Sequence, residues 1–360
     1  WLIFSLTDSA FYLGLDMFVG ALPLLLFTLI GGVIADRYNR RFLLMASQIL
    51  QMLCALVLTG LVFFDAVRLE FILSLSFITG LAQAFGGPAF QSIIPSLVAR
   101  RTLPNAIALN SIQFNLAQTV GPLLGALIFS TLGLAACFGI NGLSFLVVIG
   151  VLSLMQIPRP SQAKRQPLIT ELRGGLSYVR HGKALLGLTI LAMTTTTLGL
   201  PLRTFLPVFS DGVDHLSRMM TAVGAGAVVG ALVVAWLGTF PRMGRTLLLT
   251  LVAYGTLVAA FALTPVTLFS YALLFLGSLT LLIVFSLTAS LVQLTVPDEL
   301  RGRVMSIYLV AFRGGMPLGS LLSGYLTTVV PTTTVITING GLLVLVALFY
   351  LLKSGGVKEL

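Results

Sequence analysis

The sequence predicts an all-α membrane protein built as two six-helix bundles, and three observations predict it. Hydrophobic residues fill 57% of the 360 positions and charged residues only 9%, at a mean hydropathy of +1.05. A soluble domain carries about 45–50% apolar and about 25% charged residues. The apolar residues gather into runs of the roughly 20 residues that a membrane helix needs, and basic residues recur in every second connection between runs. The segments of about ten alternating residues that mark a β-barrel do not occur.

In chain order the runs lie near 10–34, 42–64, 71–94, 105–130, 134–157, 185–209, 217–240, 244–264, 266–294, 304–330 and 332–352, eleven in all. The opening WLIFSLT reads as the tail of a helix already under way. With neither an initiating Met nor a signal peptide before it, the expectation is a fragment lacking most of a first helix, from a parent of twelve spans. The expected division is an N-terminal bundle over 1–157, a linker over 158–184, and a C-terminal bundle with a short tail over 185–360.

The net charge is +10, from 21 Lys+Arg against 11 Asp+Glu, and its placement reports topology, with no nucleic-acid partner. One set of connections holds Arg37, Arg40, Arg41, Arg100, Arg101, the linker cations from Arg159 to Lys183, then Arg242, Arg245, Arg301, Arg303, Lys353 and Lys358. The other set holds only Arg68 and Arg218. By the positive-inside rule the first set, and with it the C-terminus, is cytoplasmic. In the linker, Leu168, Leu172, Leu176 and Val179 recur at helical spacing. That pattern suits an amphipathic helix on the inner membrane surface or apolar residues tucked under the bundle. His181 reads as a solvated loop residue, and His215 beside Asp211 and Asp214 is too isolated for a metal site. Cys54 and Cys137, single within apolar runs, read as small buried hydrophobes.

Two segments echo each other. TLPNAIALNS with TVGPLLGALI (102–111, 119–128) and ELRGRVMSIY with GMPLGSLLSG (299–308, 315–324) both enter a helix from a cytoplasmic turn and carry Pro beside Gly further along. The offset of about 195 to 197 residues divides the chain into two parallel halves related about an axis along the membrane normal, a construction frequent in transporters.

Between the first two complete runs stands GGVIADRYNRRFLLM (31–45), with one acid and three arginines inside six residues. It resembles the inner-loop signature of the major facilitator superfamily, Gly-x-x-Ala-Asp-Arg-x-Gly-Arg-Lys/Arg, matched here by Gly32, Ala35, Asp36, Arg37, Arg40 and Arg41. Asn39 replaces the turn Gly, and Asn is the next-best residue for a left-handed conformation. PAFQSIIPSLV, LPNAIALNS and ELRGRVMS look most like the enterobactin-exporter and macrolide-efflux branch. The resemblance implies the major facilitator fold and an inner gate. In the family the Asp latches against the helix that begins here near Arg303, and Asp298 and Glu299 offer partners for Arg37 or Arg40. Proton-coupled exporters of the family also carry Gly-x8-Gly-x3-Gly-Pro-x2-Gly-Gly on their fifth helix. The matching positions are Ala108, Ala117, Gly121, Pro122, Gly125 and Ala126, all small, with the Gly-Pro-x-x-Gly core intact. On this gating helix Asn110, Gln113, Ala117 and Gly121 share one face, as a cavity lining would.

Asp16, Arg203 and Arg313 lie inside apolar runs, where a charge costs about 2.5–3.5 kcal/mol even on the lenient insertion scale and normally faces a cavity and a partner. Arg313, about nine residues or roughly 13 Å into its run, is the candidate for an anionic group of cargo. Asp16 and Arg203, each about six residues from an outer end, could pair as an outer latch, or Asp16 could titrate to couple transport to protons. No phosphate loop Gly-x4-Gly-Lys-Ser/Thr occurs. GAGAVVG (224–230) has the wrong spacing for a dinucleotide loop, and its Gly226 and Gly230 read as a small-residue packing face. No enzyme motif and no cofactor site are visible. The expectation is a monomeric secondary transporter of the inner (plasma) membrane, working by alternating access and exporting a small drug- or siderophore-type molecule in exchange for protons. The competing readings are metabolite uptake by symport, a lipid flippase, and a membrane sensor that transports nothing.

Overall fold

The computed structural model describes residues 1–99, 101–155, 177–238, 240–352 and 356–360. Its elements are helices, with no strand among the described residues. A short α1 (Leu2–Thr7) ends at Asp8 in the left-handed conformation. Five long helices follow: α2 (Ala10–Arg37), α3 (Arg40–Phe63), α4 (Leu69–Leu97), α5 (Leu103–Leu132) and α6 (Leu134–Leu154). The next span is built in pieces, α7 (Lys183–Thr194), a π turn (Thr195–Gly199), α8 (Pro201–Phe205) and a 3-10 turn (Leu206–Phe209). Then come α9 (Val213–Leu237), α10 (Met243–Leu263), α11 (Thr267–Thr295), α12 (Asp298–Leu326) and α13 (Thr332–Leu352), with a terminal 3-10 turn (Val357–Glu359).

Each expected run holds one of these elements, and among the described residues nine spans are long and apolar enough to cross a bilayer by length and composition. The two missing from that set are α5 and α12, which are as long as the rest. Both helices include side chains outside the described residues. The helix expected to begin near Arg303 begins at Asp298. In the linker, Leu168, Leu172 and Leu176 lie outside the described residues, whereas residues 177–180 are helical and Val179 is buried.

The chain forms two compact units, Trp1–Asp8 with Leu15–Lys164, and Ser9–Gly14 with Arg165–Leu360. In the first, α3 packs on both α4 and α6, with Leu44, Ile93 and Leu152 in the shared core. In the second, α10 packs on α11 and α13, α9 on α11, and α12 on α7 and the π turn.

Water drives no helix together inside lipid, so association depends on how closely backbones approach. A methyl group added to Gly80 of α4 would overlap the carbonyl of Gly20 on α2. In the second unit, methyls on Gly226 and Gly230 of α9 would meet the carbonyls of Phe275 and Leu279 on α11. The expected packing role of Gly226 and Gly230 is therefore what the structure shows. By contrast Gly121 and Gly125 of α5 have open space where a Cβ would stand.

Gly80→Val and Gly226→Val are expected to destabilise their units by about 1–3 kcal/mol through overpacking, lowering the melting temperature of the purified protein, while Gly121→Ala leaves it unchanged. Differential scanning fluorimetry in detergent checks this comparison.

Candidate functional site

The cluster of charges between α2 and α3 is divided between two helix ends. Asp36 and Arg37 lie in the last turn of α2, Arg40 and Arg41 open α3, and only Tyr38 and Asn39 form the turn. Asn39 is not left-handed, as the replaced glycine led one to expect. Its φ of −65° and ψ of 109° are extended, and its Oδ1 accepts from the backbone N–H groups of Arg41 at 3.0 Å and Phe42 at 3.4 Å. The side chain does the work: it caps two of the unpaired amides at the start of α3, which a glycine could not do.

Arg40 donates to the carbonyl of Ser92 on α4 at 3.1 Å, and Arg41 donates to the carbonyl of Ser153 on α6. Both carbonyls lie near the C-terminal ends of their helices, where the negative pole of the helix dipole favours a cation. Two of the motif's arginines thus tie α3 to α4 and α6 within the first unit. The side chains of Asp36, Arg37, Asp298 and Glu299 lie outside the described residues, as does the ring of Pro122.

Asp16 sits on the same α2–α4 seam as Gly20, one turn earlier, and accepts a hydrogen bond of 2.6 Å from Ser76. The close backbone approach at Gly20 and Gly80 is what brings the short serine side chain within reach. A second polar cluster joins α3 to α4. Ser47 donates to the carbonyl of Ala82 at 2.7 Å, Gln51 donates to Ser47 Oγ at 3.0 Å, and Gln83 donates to Gln51 Oε1 at 3.3 Å. Ser47 and Gln51 are both buried. Sequence reasoning passed over them, although the spacing Ser47-x-x-x-Gln51 on an apolar helix was the available signal.

On α5, Asn110 is half-buried while Gln113, Ala117 and Gly121 are exposed. The polar stripe runs into the small-residue stripe on a face that no described neighbour covers. Arg313, sixteenth of the 29 residues of α12, is likewise exposed. It makes no hydrogen bond or ion pair among the described residues. A guanidinium halfway along a membrane helix and uncovered by its own unit requires water or a ligand beside it.

Arg203 occupies a different setting. The run TTTTLGLP (194–201) cannot continue a regular helix: Thr194 and Thr196 donate back to the carbonyls of Ile190 and Ala192 at 2.8 and 3.0 Å, and Pro201 lacks an N–H. Thr hydroxyls bonded backward in this way bend helices. The result is the π turn, whose buried Gly199 carbonyl accepts from the buried Tyr254 hydroxyl at 2.8 Å. Gly315 and Gly319 of α12 pack directly on Thr196 and Thr197. Past the turn, Arg203 donates to Ser278 Oγ at 3.0 Å. The sequence analysis located Arg203 but missed the π turn, Tyr254 and Ser278. π turns gather at functional positions in helices. His215 packs edge-on to Tyr271 and lies 3.5 Å from Asp211. Cys54 and Cys137 are unpaired.

Long apolar helices with small-residue seams and a charged turn between α2 and α3 are what a major facilitator transporter contains. The family profile described as transmembrane secretion effector matches residues 1–357, and the chain belongs to that family. The enterobactin exporter EntS of Citrobacter koseri is 25% identical over 363 residues, covering 98% of this chain and 86% of that protein. The EntS of Salmonella typhimurium is 24% identical with the same coverage. Among solved structures, a D-xylose–proton symporter superposes with a TM-score of 0.74 at 15% identity, covering 98% of this chain and 89% of its own. The nucleoside transporter NupG superposes at 0.71 and 17% identity, covering 95% and 90%. These structures establish the fold, and family and fold together make the chain a multi-pass membrane transporter.

If Asn39 acts as a cap, Asn39→Ala costs about 1 kcal/mol and Asn39→Gly only a few tenths. Thermal unfolding of the two variants checks the order, and a gain in stability with glycine would restore the left-handed reading.

Proposed function

We propose that the protein is a secondary active exporter of the inner membrane, moving a small organic molecule outward in exchange for protons by alternating access of its two halves. The observation that carries the transporter chemistry is Arg313, exposed halfway along a 29-residue helix, where lipid contact would cost several kcal/mol and a water-filled path would not. The exposed Gln113 and the open space at Gly121 and Gly125 on the gating helix α5 support the same reading. Export as the direction is supported by the family description and by the relatives named as enterobactin exporters. In this reading Arg313 meets an anionic group of the cargo, as a catecholate siderophore would present. Asp16, held by Ser76, is the group whose protonation couples transport to the proton gradient.

Within the inner-gate motif of Gly32, Asp36, Arg37, Arg40 and Arg41 the roles divide. Arg40 and Arg41 grip the ends of α4 and α6, and the latch falls to Asp36 and Arg37 at the end of α2. The basic turns face the cytoplasm, as the positive-inside rule orders them.

In an efflux-deficient bacterial host, the full-length protein is expected to lower accumulation of one class among catecholate siderophores, macrolides and cationic dyes. Collapsing the proton gradient restores accumulation, and Asp36→Ala and Arg313→Gln export at least tenfold more slowly. Faster accumulation with the wild-type protein would make it an importer. Unchanged export by Asp36→Ala would remove the latch.

A further inference from the structure

Arg203 is a half-buried charge held between helices of the second unit, and its surroundings raise a question of charge balance. A guanidinium offers five N–H donors and no acceptor. Among the described residues its polar partner is Ser278 Oγ at 3.0 Å, and it forms no ion pair there. Burying one charge without a counter-charge in a low-dielectric interior is far costlier than burying a pair. Beside it lies a cavity of about 20 Å³, lined by Arg203, Ser278 and Tyr254 and by apolar side chains including Val258, Phe261 and Leu274.

The donors at this cavity are unevenly used. Tyr254 directs its O–H to the Gly199 carbonyl. Ser278 accepts from Arg203 and has its own proton left to give. The cavity therefore faces a positive charge and a free hydroxyl donor, with no carboxylate among its lining residues. Size decides what it can take. Organic ligands occupy about 300–1,000 Å³, which rules out cargo, whereas a single small particle needs about 10–15 Å³. A water molecule fits but leaves the charge uncompensated.

We propose that this cavity is a binding site for a small monovalent inorganic anion of the halide class, held by the Arg203 guanidinium and the Ser278 hydroxyl. The anion neutralises Arg203 and fixes the segment that follows the π turn. The site is structural and separate from the cargo path, and its occupancy does not depend on the direction of transport.

The test is a binding measurement on the purified full chain in detergent. Its melting temperature is read in sodium chloride, bromide and gluconate at constant ionic strength. The expected result is a saturable rise with chloride and bromide over gluconate, lost in Arg203→Gln, with the half-saturating concentration raised about tenfold in Ser278→Ala, the loss of one charge-assisted hydrogen bond. Equal melting in all three salts overturns the proposal, and so does an undiminished halide effect in Arg203→Gln. Should Arg203→Gln fail to fold, anomalous scattering from bromide-soaked crystals of the unaltered chain decides. A peak between Arg203 and Ser278 supports the site, and density for water only overturns it.

Discussion

The close approach of helix backbones at glycine–carbonyl contacts is the constraint on which the other features of this protein rest. Lipid gives apolar helices little reason to associate, so contact area and backbone proximity must hold them. Both units use the same solution, with Gly20 against Gly80 joining α2 to α4 and Gly226 and Gly230 joining α9 to α11. Side chains are then placed by the seams. Ser76 reaches Asp16 because the α2–α4 seam is narrow one turn away. The π turn before Arg203 keeps its shape because Gly315 and Gly319 let α12 lie directly on it.

Polar groups inside the membrane fall into two kinds. Those locked within a bundle hold the helices in register: Ser47, Gln51 and Gln83 between α3 and α4, Asn339 donating to Ser323 at 3.0 Å between α13 and α12, and Tyr254 on the Gly199 carbonyl. In such positions an unmade hydrogen bond would cost about 1–3 kcal/mol, so they favour one packing over its alternatives. The others, Arg313 on α12 and Gln113 on α5, are exposed.

Much of this was legible in the sequence because hydropathy acts on whole segments. All eleven runs became helical elements, and the small residues of the GAGAVVG segment fell where packing needed them. The errors are equally physical. Asn39 was read through the glycine it replaces, whereas its side chain offered an alternative that glycine lacks, capping the next helix. Arg313 stood out as a charge inside an apolar run, but periodicity does not say whether a face is covered. The π turn and the Arg203–Ser278 contact depend on tertiary packing, and only the threonine run before Pro201 hinted at them.

Exchange of cargo for protons across one membrane is the central claim, and reconstitution tests it most directly. The purified protein is placed in proteoliposomes containing a pH-sensitive dye, under an imposed inward proton gradient and with a catecholate siderophore inside. The account predicts siderophore release accompanied by acidification of the lumen beyond the passive leak, with both absent from Asp16→Asn vesicles. Siderophore release at the same rate without a gradient, or acidification that ignores the siderophore, would contradict it.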